Sequence, residues 1–185
     1  MEPSPLHDLE TALDGTASLV DRVPDDQWER PSPCTGWSAR DVVDHLVAGH
    51  RFFASALTDG GEPVTTTPAP DAATAYRDSA RAMLDAFAAP GALERIVTLP
   101  IGTVPGAVAL HLRLVEALVH GWDIAVATGQ APAGDEAVAE RALRFTRGML
   151  PEIPQEHRPF APAVRVPEDA TALDRLVGQL GRQRP

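Results

Sequence analysis

Residues 106–129 read GAVALHLRLVEALVHGWDIAVATG and are the part of the sequence that says most about the architecture. At about 100° per residue, a helix drawn through it is apolar round almost its whole circumference, with one narrow polar strip. The strip consists of Arg113, Glu116, His120 and Asp123. A surface helix normally keeps a polar face of half its circumference or more. We therefore predict a helix over 106–128 whose polar strip is partly buried or lines a cleft.

Five further stretches carry apolar residues at helical spacing, and they predict helices over 6–22, 38–58, 71–89, 134–150 and 169–180. Ser38 and Asp41, three residues apart at the start of the second of these, form an acidic variant of the capping box. The β-branched run 95–101 predicts one or two small strands, and 163–166 predicts a short extended run. Gly60-Gly61 and residues 65–68 predict a loop.

These elements define a mainly α fold, a helical bundle with a small β-hairpin and a short C-terminal strand and helix. At 185 residues the chain is long enough to bury a real core. We divide it into a helical bundle over 1–150 and a C-terminal extension over 151–185 that packs on the bundle.

Composition and charge narrow the classes of function. The formal net charge is -10 and the 16 basic residues, all arginine, are scattered, which excludes a general nucleic-acid binder. The single cysteine, Cys34, excludes an internal disulfide and a cysteine-based metal cage. There is no signal-peptide pattern and no apolar run of about 18 residues, so we expect a cytoplasmic protein without a membrane partner.

A candidate metal site lies on the polar strip of the 106–128 helix. Glu116 and His120 are four residues apart, so both can reach one cation at about 2.0–2.2 Å. His45, on the flank of the second helix, is the candidate third ligand. Three protein ligands leave a coordination position open, which is typical of catalytic sites. Spacing alone fits two other interpretations: a hydrogen-bonded pair on a solvated strip, and a core histidine at position 45.

Five residues near the candidate ligands in the sequence each have two possible roles. Cys34, near a helix N-terminus, is either a reactive thiol or a packed loop residue. Asp123 either orients a ligand or forms a salt bridge to an arginine. Asp41 either supports the site or only caps its helix. Trp37 either stacks on a substrate or packs in the core, and Arg113 either binds an anionic substrate or neutralises the nearby carboxylate.

Two motifs and the tail resemble a known family. Residues 34–46, CTGWSARDVVDHL, look like the motif that opens the second helix of the mycothiol-dependent maleylpyruvate isomerase N-terminal family, a part of the DinB-like superfamily. Residues 119–129, VHGWDIAVATG, resemble its second signature. The tail is also similar, through Phe160, 164–167, Asp169-Ala170, 174–176 and Leu180-Gly181-Arg182.

The resemblance implies a DinB-like four-helix bundle with a divalent metal, zinc or nickel, near one end. The first histidine of the family corresponds to His45, its acidic ligand to Glu116 and its second histidine to His120. Several relatives carry Asp at the position of Glu116, and both side chains can ligate a metal.

The resemblance also implies an activity: members of the superfamily use the metal to activate a low-molecular-weight thiol such as mycothiol, as a cosubstrate for transfer or isomerisation. We therefore expect a thiol-dependent transferase or isomerase acting on a small molecule. The alternative is a non-catalytic protein that binds a metal or small molecule, or whose metal only stabilises the bundle. The resemblance is also compatible with a homodimer.

Overall fold

In a computed structural model of the protein, the described residues are 3–58, 69–99, 102–152, 160–167 and 169–183. They form α1 (Pro5–Val20), α2 (Ala39–Thr58), α3 (Ala72–Ala88), β1 (Ile96–Leu99), β2 (Gly102–Pro105), α4 (Gly106–Ala127), α5 (Glu136–Met149) and α6 (Ala172–Gln179). Short 3-10 turns span Asp25–Gln27 and Leu150–Glu152. The predicted mainly α fold is confirmed, and helix ends differ from prediction by at most three residues. The loop predicted at 60–61 and 65–68 lies outside the described residues.

Helices α1 to α4 form the bundle. Both α1 and α2 pack against α3 and α4, so each of the four helices has two neighbours within the bundle. Their apolar faces join one continuous core, in which Leu46, Tyr76 and Leu118 are almost completely inaccessible to solvent. None of the described helices is long and apolar enough to span a membrane.

Helix α4 is the most buried element of the bundle, as its apolar circumference predicts. Its polar residues Arg113, His120 and Asp123 are buried together with the apolar ones. Gly121 allows α1 to approach closely, because a Cβ there would lie 2.6 Å from Thr16 Oγ1. The Thr16 hydroxyl donates to the carbonyl of Ala117 at 2.9 Å, so the two helices are also joined by a buried hydrogen bond.

The start of α2 is fixed by the predicted capping box, which the structure confirms. The Ser38 backbone N–H and hydroxyl both donate to Asp41 Oδ2, at 2.8 and 2.7 Å, and the Asp41 N–H donates back to Ser38 Oγ at 3.2 Å. The two bonds that the carboxylate accepts, first the one from the Ser38 backbone and then the one from its hydroxyl, lower the pKa of Asp41. A defined helix start sets the direction in which His45, one turn beyond Asp41, projects.

The predicted strands form one antiparallel hairpin, which leads directly into α4. Its register pairs Ile96 with Pro105 and Leu99 with Gly102. Val97 is buried against the core while Ile96 is exposed, as expected for alternating strand residues.

The C-terminal segment packs on α4 and α5. Helix α6 begins at Ala172, three residues later than predicted, and its N-cap is Thr171, whose hydroxyl accepts from the Asp174 N–H at 3.1 Å. Leu176 and Leu180 of this segment join the bundle core. The short C-terminal strand predicted at 163–166 is not formed: these residues have no regular secondary structure, and the Val164 N–H donates to the Gly178 carbonyl at 2.9 Å instead of to a strand. The division of the chain at residue 150 stays a prediction.

Candidate metal centre

The polar strip of α4 places a carboxylate and an imidazole on adjacent turns. Glu116 Oε2 lies 3.4 Å from His120 Nε2, the i,i+4 contact that their spacing predicts. His120 is almost fully buried, and the Glu116 side chain is 21% exposed. The pair therefore lies at the edge of the core.

Helix α2 brings His45 to the same carboxylate oxygen. His45 Nε2 lies 3.0 Å from Glu116 Oε2, although 71 residues separate the two in sequence. The ligand atoms of His45, Glu116 and His120 all lie within 4.8 Å of one another, and this is the one such group among the residues that the structure describes. The three predicted ligands are thus brought together.

The donor set fits a divalent transition metal. Two imidazole nitrogens and one carboxylate oxygen are ligands that zinc and nickel accept. Both Nε2 atoms face a single carboxylate oxygen, so one cation placed among them could be reached by all three side chains. The half-exposed His45 leaves one side of the group accessible from solvent.

Asp123 determines which nitrogen of His120 faces that group. His120 Nδ1 lies 2.9 Å from Asp123 Oδ2. An ionised carboxylate only accepts, so Nδ1 carries the proton and Nε2 is the nitrogen left to bind a cation once it is deprotonated. Burial by itself lowers the pKa of His120, but hydrogen bonds to Asp123 and Glu116 outweigh it and raise the pKa to about 9.

The carboxylate of Glu116 is kept ionised by its neighbours. Burial raises its pKa, yet the hydrogen bonds from His120 and His45 and the charge of Arg113 together hold that pKa well below its usual range. A charged carboxylate is the form that binds a metal.

Arg113 lies behind Glu116, inside the bundle. Its Nη1 is 3.7 Å from Glu116 Oε2, and its guanidinium stacks over the Phe53 ring at 5.3 Å. Gly49 makes room for it, since a Cβ there would lie 2.7 Å from Nη1. Its Nε and Nη2 have no hydrogen-bond partner within the described part of the chain. Burial lowers the pKa of Arg113, against the opposing effect of Glu116.

Trp37 and Cys34 lie in the loop before α2. The Trp37 ring centroid is 4.9 Å from that of His45 and 6.2 Å from that of His120, so the indole forms one wall of the site. Cys34 is half-buried, and burial raises the pKa of its thiol despite the nearby Arg182. The thiol therefore stays protonated near neutral pH.

The remaining predicted candidate, Asp41, is engaged at the start of α2. Its carboxylate accepts from Ser38 and is exposed, so its described contacts are those of a cap. Sequence reasoning missed Arg182, whose Nη2 lies 3.1 Å from Asp123 Oδ2 and 3.6 Å from Cys34 Sγ. A glycine at 181, just after a predicted helix, was the one signal that the chain turns back there.

Comparison with known proteins finds relatives that cover most of the chain. The chain is 34% identical over 188 residues to Rv0738, an uncharacterized protein of Mycobacterium tuberculosis strain H37Rv, and the match covers 98% of both chains. A crystal structure of a DinB-like protein, YjoA of Bacillus subtilis, superposes with a TM-score of 0.58 at 16% identity. That match covers 71% of this chain and 96% of the other.

A second solved structure, a mycothiol-dependent maleylpyruvate isomerase, superposes with a TM-score of 0.55 at 16% identity. The match covers 75% of this chain and 66% of the isomerase. At this level of identity it shows that the two share a fold. The sequence model of the mycothiol maleylpyruvate isomerase N-terminal domain matches residues 9–125, which include all three candidate ligands. The chain therefore belongs to the mycothiol maleylpyruvate isomerase N-terminal domain family, with a DinB-like fold.

Proposed function

We propose that this protein binds one divalent cation through His45, Glu116 and His120 and uses it in a thiol-dependent transfer or isomerisation. The observation that carries the proposal is the convergence of two imidazole nitrogens on one carboxylate oxygen. A structural hydrogen bond needs only one imidazole. The donor set favours zinc or nickel.

The chemistry that a bound cation supplies is Lewis acidity, which lowers the pKa of a thiol and favours the nucleophilic thiolate. Membership of the family makes mycothiol or a similar small thiol the expected cosubstrate. Cys34 is a poor substitute for that thiol, because its own burial raises its pKa and keeps it protonated. The reacting sulfur would therefore come from outside the chain.

The residues around the trio have separate tasks in this proposal. Asp123 holds the His120 ring in one tautomer, and the charge of Arg113 adds to the hydrogen bonds from His120 and His45 that keep the Glu116 carboxylate ionised. Trp37 and the half-exposed His45 flank the side from which a thiol and a small electrophile would approach. A cytoplasmic location, where reduced thiols are abundant, is part of the same proposal.

The first test is metal content. We expect purified protein to retain about one zinc or nickel ion per chain, measured by elemental analysis, and to lose it in His45→Ala and His120→Ala. His7→Ala is the matched control, because His7 is largely exposed on α1 and contacts Glu10. Equal metal loss in the control, or an absence of metal in the wild type after reconstitution, would overturn the metal site.

The second test separates catalysis from binding. Conjugation of mycothiol to chlorinated or epoxide electrophiles, and isomerisation of maleylpyruvate, are assayed with and without metal. Metal-dependent turnover that disappears in His120→Ala supports the enzyme. Tight thiol binding without turnover identifies the alternative, a non-catalytic binding protein, and a metal-dependent rise in melting temperature alone identifies a structural metal.

A further inference from the structure

Arg182 lies beyond α6, close to the C-terminal end of the described chain, and its side chain reaches back to α4. Nη2 donates to Asp123 Oδ2 at 3.1 Å and Nε donates to Oδ1 at 3.4 Å, so the guanidinium grips the carboxylate with two hydrogen bonds. The Arg182 side chain is 9% exposed and that of Asp123 is 0% exposed. This ion pair is therefore removed from solvent screening.

The way α6 ends directs Arg182 to this position. Gly181 adopts a φ of 79°, the left-handed conformation that terminates helices, and the Arg182 N–H donates to the Val177 carbonyl at 2.9 Å. This is the six-to-one bond of a Schellman motif, which reverses the chain at a fixed angle. Leu176 and Leu180 anchor the helix in the core, so the turn is held in place.

The Asp123 carboxylate that Arg182 holds also contacts His120, a candidate metal ligand. Asp123 Oδ2 accepts from Arg182 and also from His120 Nδ1, at 2.9 Å. We propose that Arg182 is a positioning residue for the metal centre: by holding Asp123, it fixes the His120 ring with Nε2 directed at Glu116. This inference rests on the proposed function, because it concerns affinity for the cation.

Removal of Arg182 should change the metal affinity through two effects of opposite sign. Its positive charge opposes a nearby cation, so charge alone predicts tighter metal binding when the guanidinium is removed. Position predicts weaker binding, because Asp123 would become a buried charge without its ion-pair partner and would no longer hold His120. Among the described contacts, Arg182 bonds Asp123 and none of the three candidate ligands, and the negative charge of Asp123 largely offsets the positive charge of Arg182. The loss of position therefore dominates.

The test is a titration of metal-free full-length protein with Co²⁺ and Zn²⁺. We expect Arg182→Gln to bind both ions about tenfold more weakly, the lower end of the range for groups that bond a metal ligand directly, because Arg182 acts through Asp123. We also expect altered visible absorption of the Co²⁺ complex, because His120 is no longer held in one orientation. Arg182→Lys keeps the charge but lacks a planar guanidinium that donates two hydrogen bonds to one carboxylate. It should therefore recover only part of the metal affinity.

The matched control is Arg175→Gln on α6, which removes another ion pair of the same segment, between Arg175 Nη2 and Glu140 Oε2 at 2.7 Å. We expect it to lower the melting temperature without changing Co²⁺ affinity or spectrum. If Arg182 had only a structural role, Arg182→Gln would behave like Arg175→Gln, with a lower melting temperature and an unchanged Co²⁺ affinity and spectrum. Should Arg182→Gln fail to fold, Arg182→Lys with an unchanged circular dichroism spectrum carries the same comparison.

Wild-type protein that binds Co²⁺ while Arg182→Gln and Arg182→Lys bind it equally well or more tightly would overturn the inference alone. Wild-type protein that binds neither Co²⁺ nor Zn²⁺ would overturn the proposed function, and the inference with it.

Discussion

Two histidines are buried in the helical bundle, His120 on α4 and His50 on α2, and they differ in what surrounds their ring nitrogens. His120 lies between two carboxylates, Asp123 at Nδ1 and Glu116 at Nε2. His50 Nδ1 lies 3.1 Å from the Ser79 hydroxyl, and its Nε2 has no hydrogen-bond partner among the described residues. Both rings are almost completely buried, but only the His120 ring contacts another candidate metal ligand.

The electrostatic consequence follows from those partners. The pKa of His120 is raised to about 9, whereas burial and the charge of Arg113 hold the pKa of His50 well below 6.5. Ser79 donates its single hydroxyl hydrogen to the Tyr76 carbonyl at 3.0 Å, so His50 Nδ1 must be the donor to Ser79. His50 is thus a neutral structural histidine. Burial alone does not make a histidine a ligand; convergent donors do.

The difference between His120 and His50 should be largest in their effect on metal affinity. We expect His120→Ala to weaken Zn²⁺ binding by at least about 100-fold, because losing a ligand should cost more than the 10–100-fold typical of its outer partners. His50→Ala should leave the affinity unchanged. Competition with a chromophoric chelator measures both. Similar losses in the two variants would contradict the distinction drawn between them.

The next effect concerns stability at His50. Ser79→Ala removes the acceptor of a buried Nδ1–H, and leaving such a donor unpaired costs about 1–3 kcal/mol of unfolding free energy. Urea unfolding of the metal-free protein measures this. Ser18→Ala is the control, since that hydroxyl donates to the Asp14 carbonyl on an exposed helix face, and a loss of similar size there would refute the argument.

The smallest effect is the pH dependence of stability that His50 contributes. Its pKa is lower in the folded than in the unfolded state, so the unfolded chain takes up a proton more readily below about pH 6.5. The His50 contribution is therefore fully present above that pH and is lost as the pH falls, by at most about 1.4 kcal/mol per pH unit. Urea unfolding between pH 5 and 8, roughly the range in which histidine titrates, should show a shallower slope for His50→Gln than for wild type. Identical slopes would mean that His50 is not buried as a neutral base.

Much of the fold follows from local patterns in the sequence. The apolar circumference of α4 predicts its burial, and the capping box at Ser38 and Asp41 predicts where α2 begins. Glu116 and His120 are close for the same local reason, since four residues make about one helical turn. Their approach to His45 is a tertiary contact across 71 residues, which spacing alone could not distinguish from a core histidine.

Other features of the site depend on packing that no local pattern encodes. Arg182 reaches Asp123 across 59 residues, through a turn whose direction depends on how α6 is seated. Cys34 lies near a helix start, a pattern that suggests a lowered pKa, yet its burial raises it. The stacking of Arg113 on Phe53 depends on the space left at Gly49, which becomes visible only when α2 and α4 are docked.

The uneven spacing of the three candidate ligands along the chain has a consequence for biosynthesis. In an unfolded or emerging polypeptide, Glu116 and His120 remain close enough to hold a cation weakly, while His45 is remote from both. The complete set exists only after α2 and α4 have met, so the cation proposed above would bind the native state far better than the nascent chain. The bound ion would then stabilise the folded state, by about 2.7 kcal/mol at a free ion concentration 100 times the Kd. Cells starved of that ion would accumulate less of the folded protein.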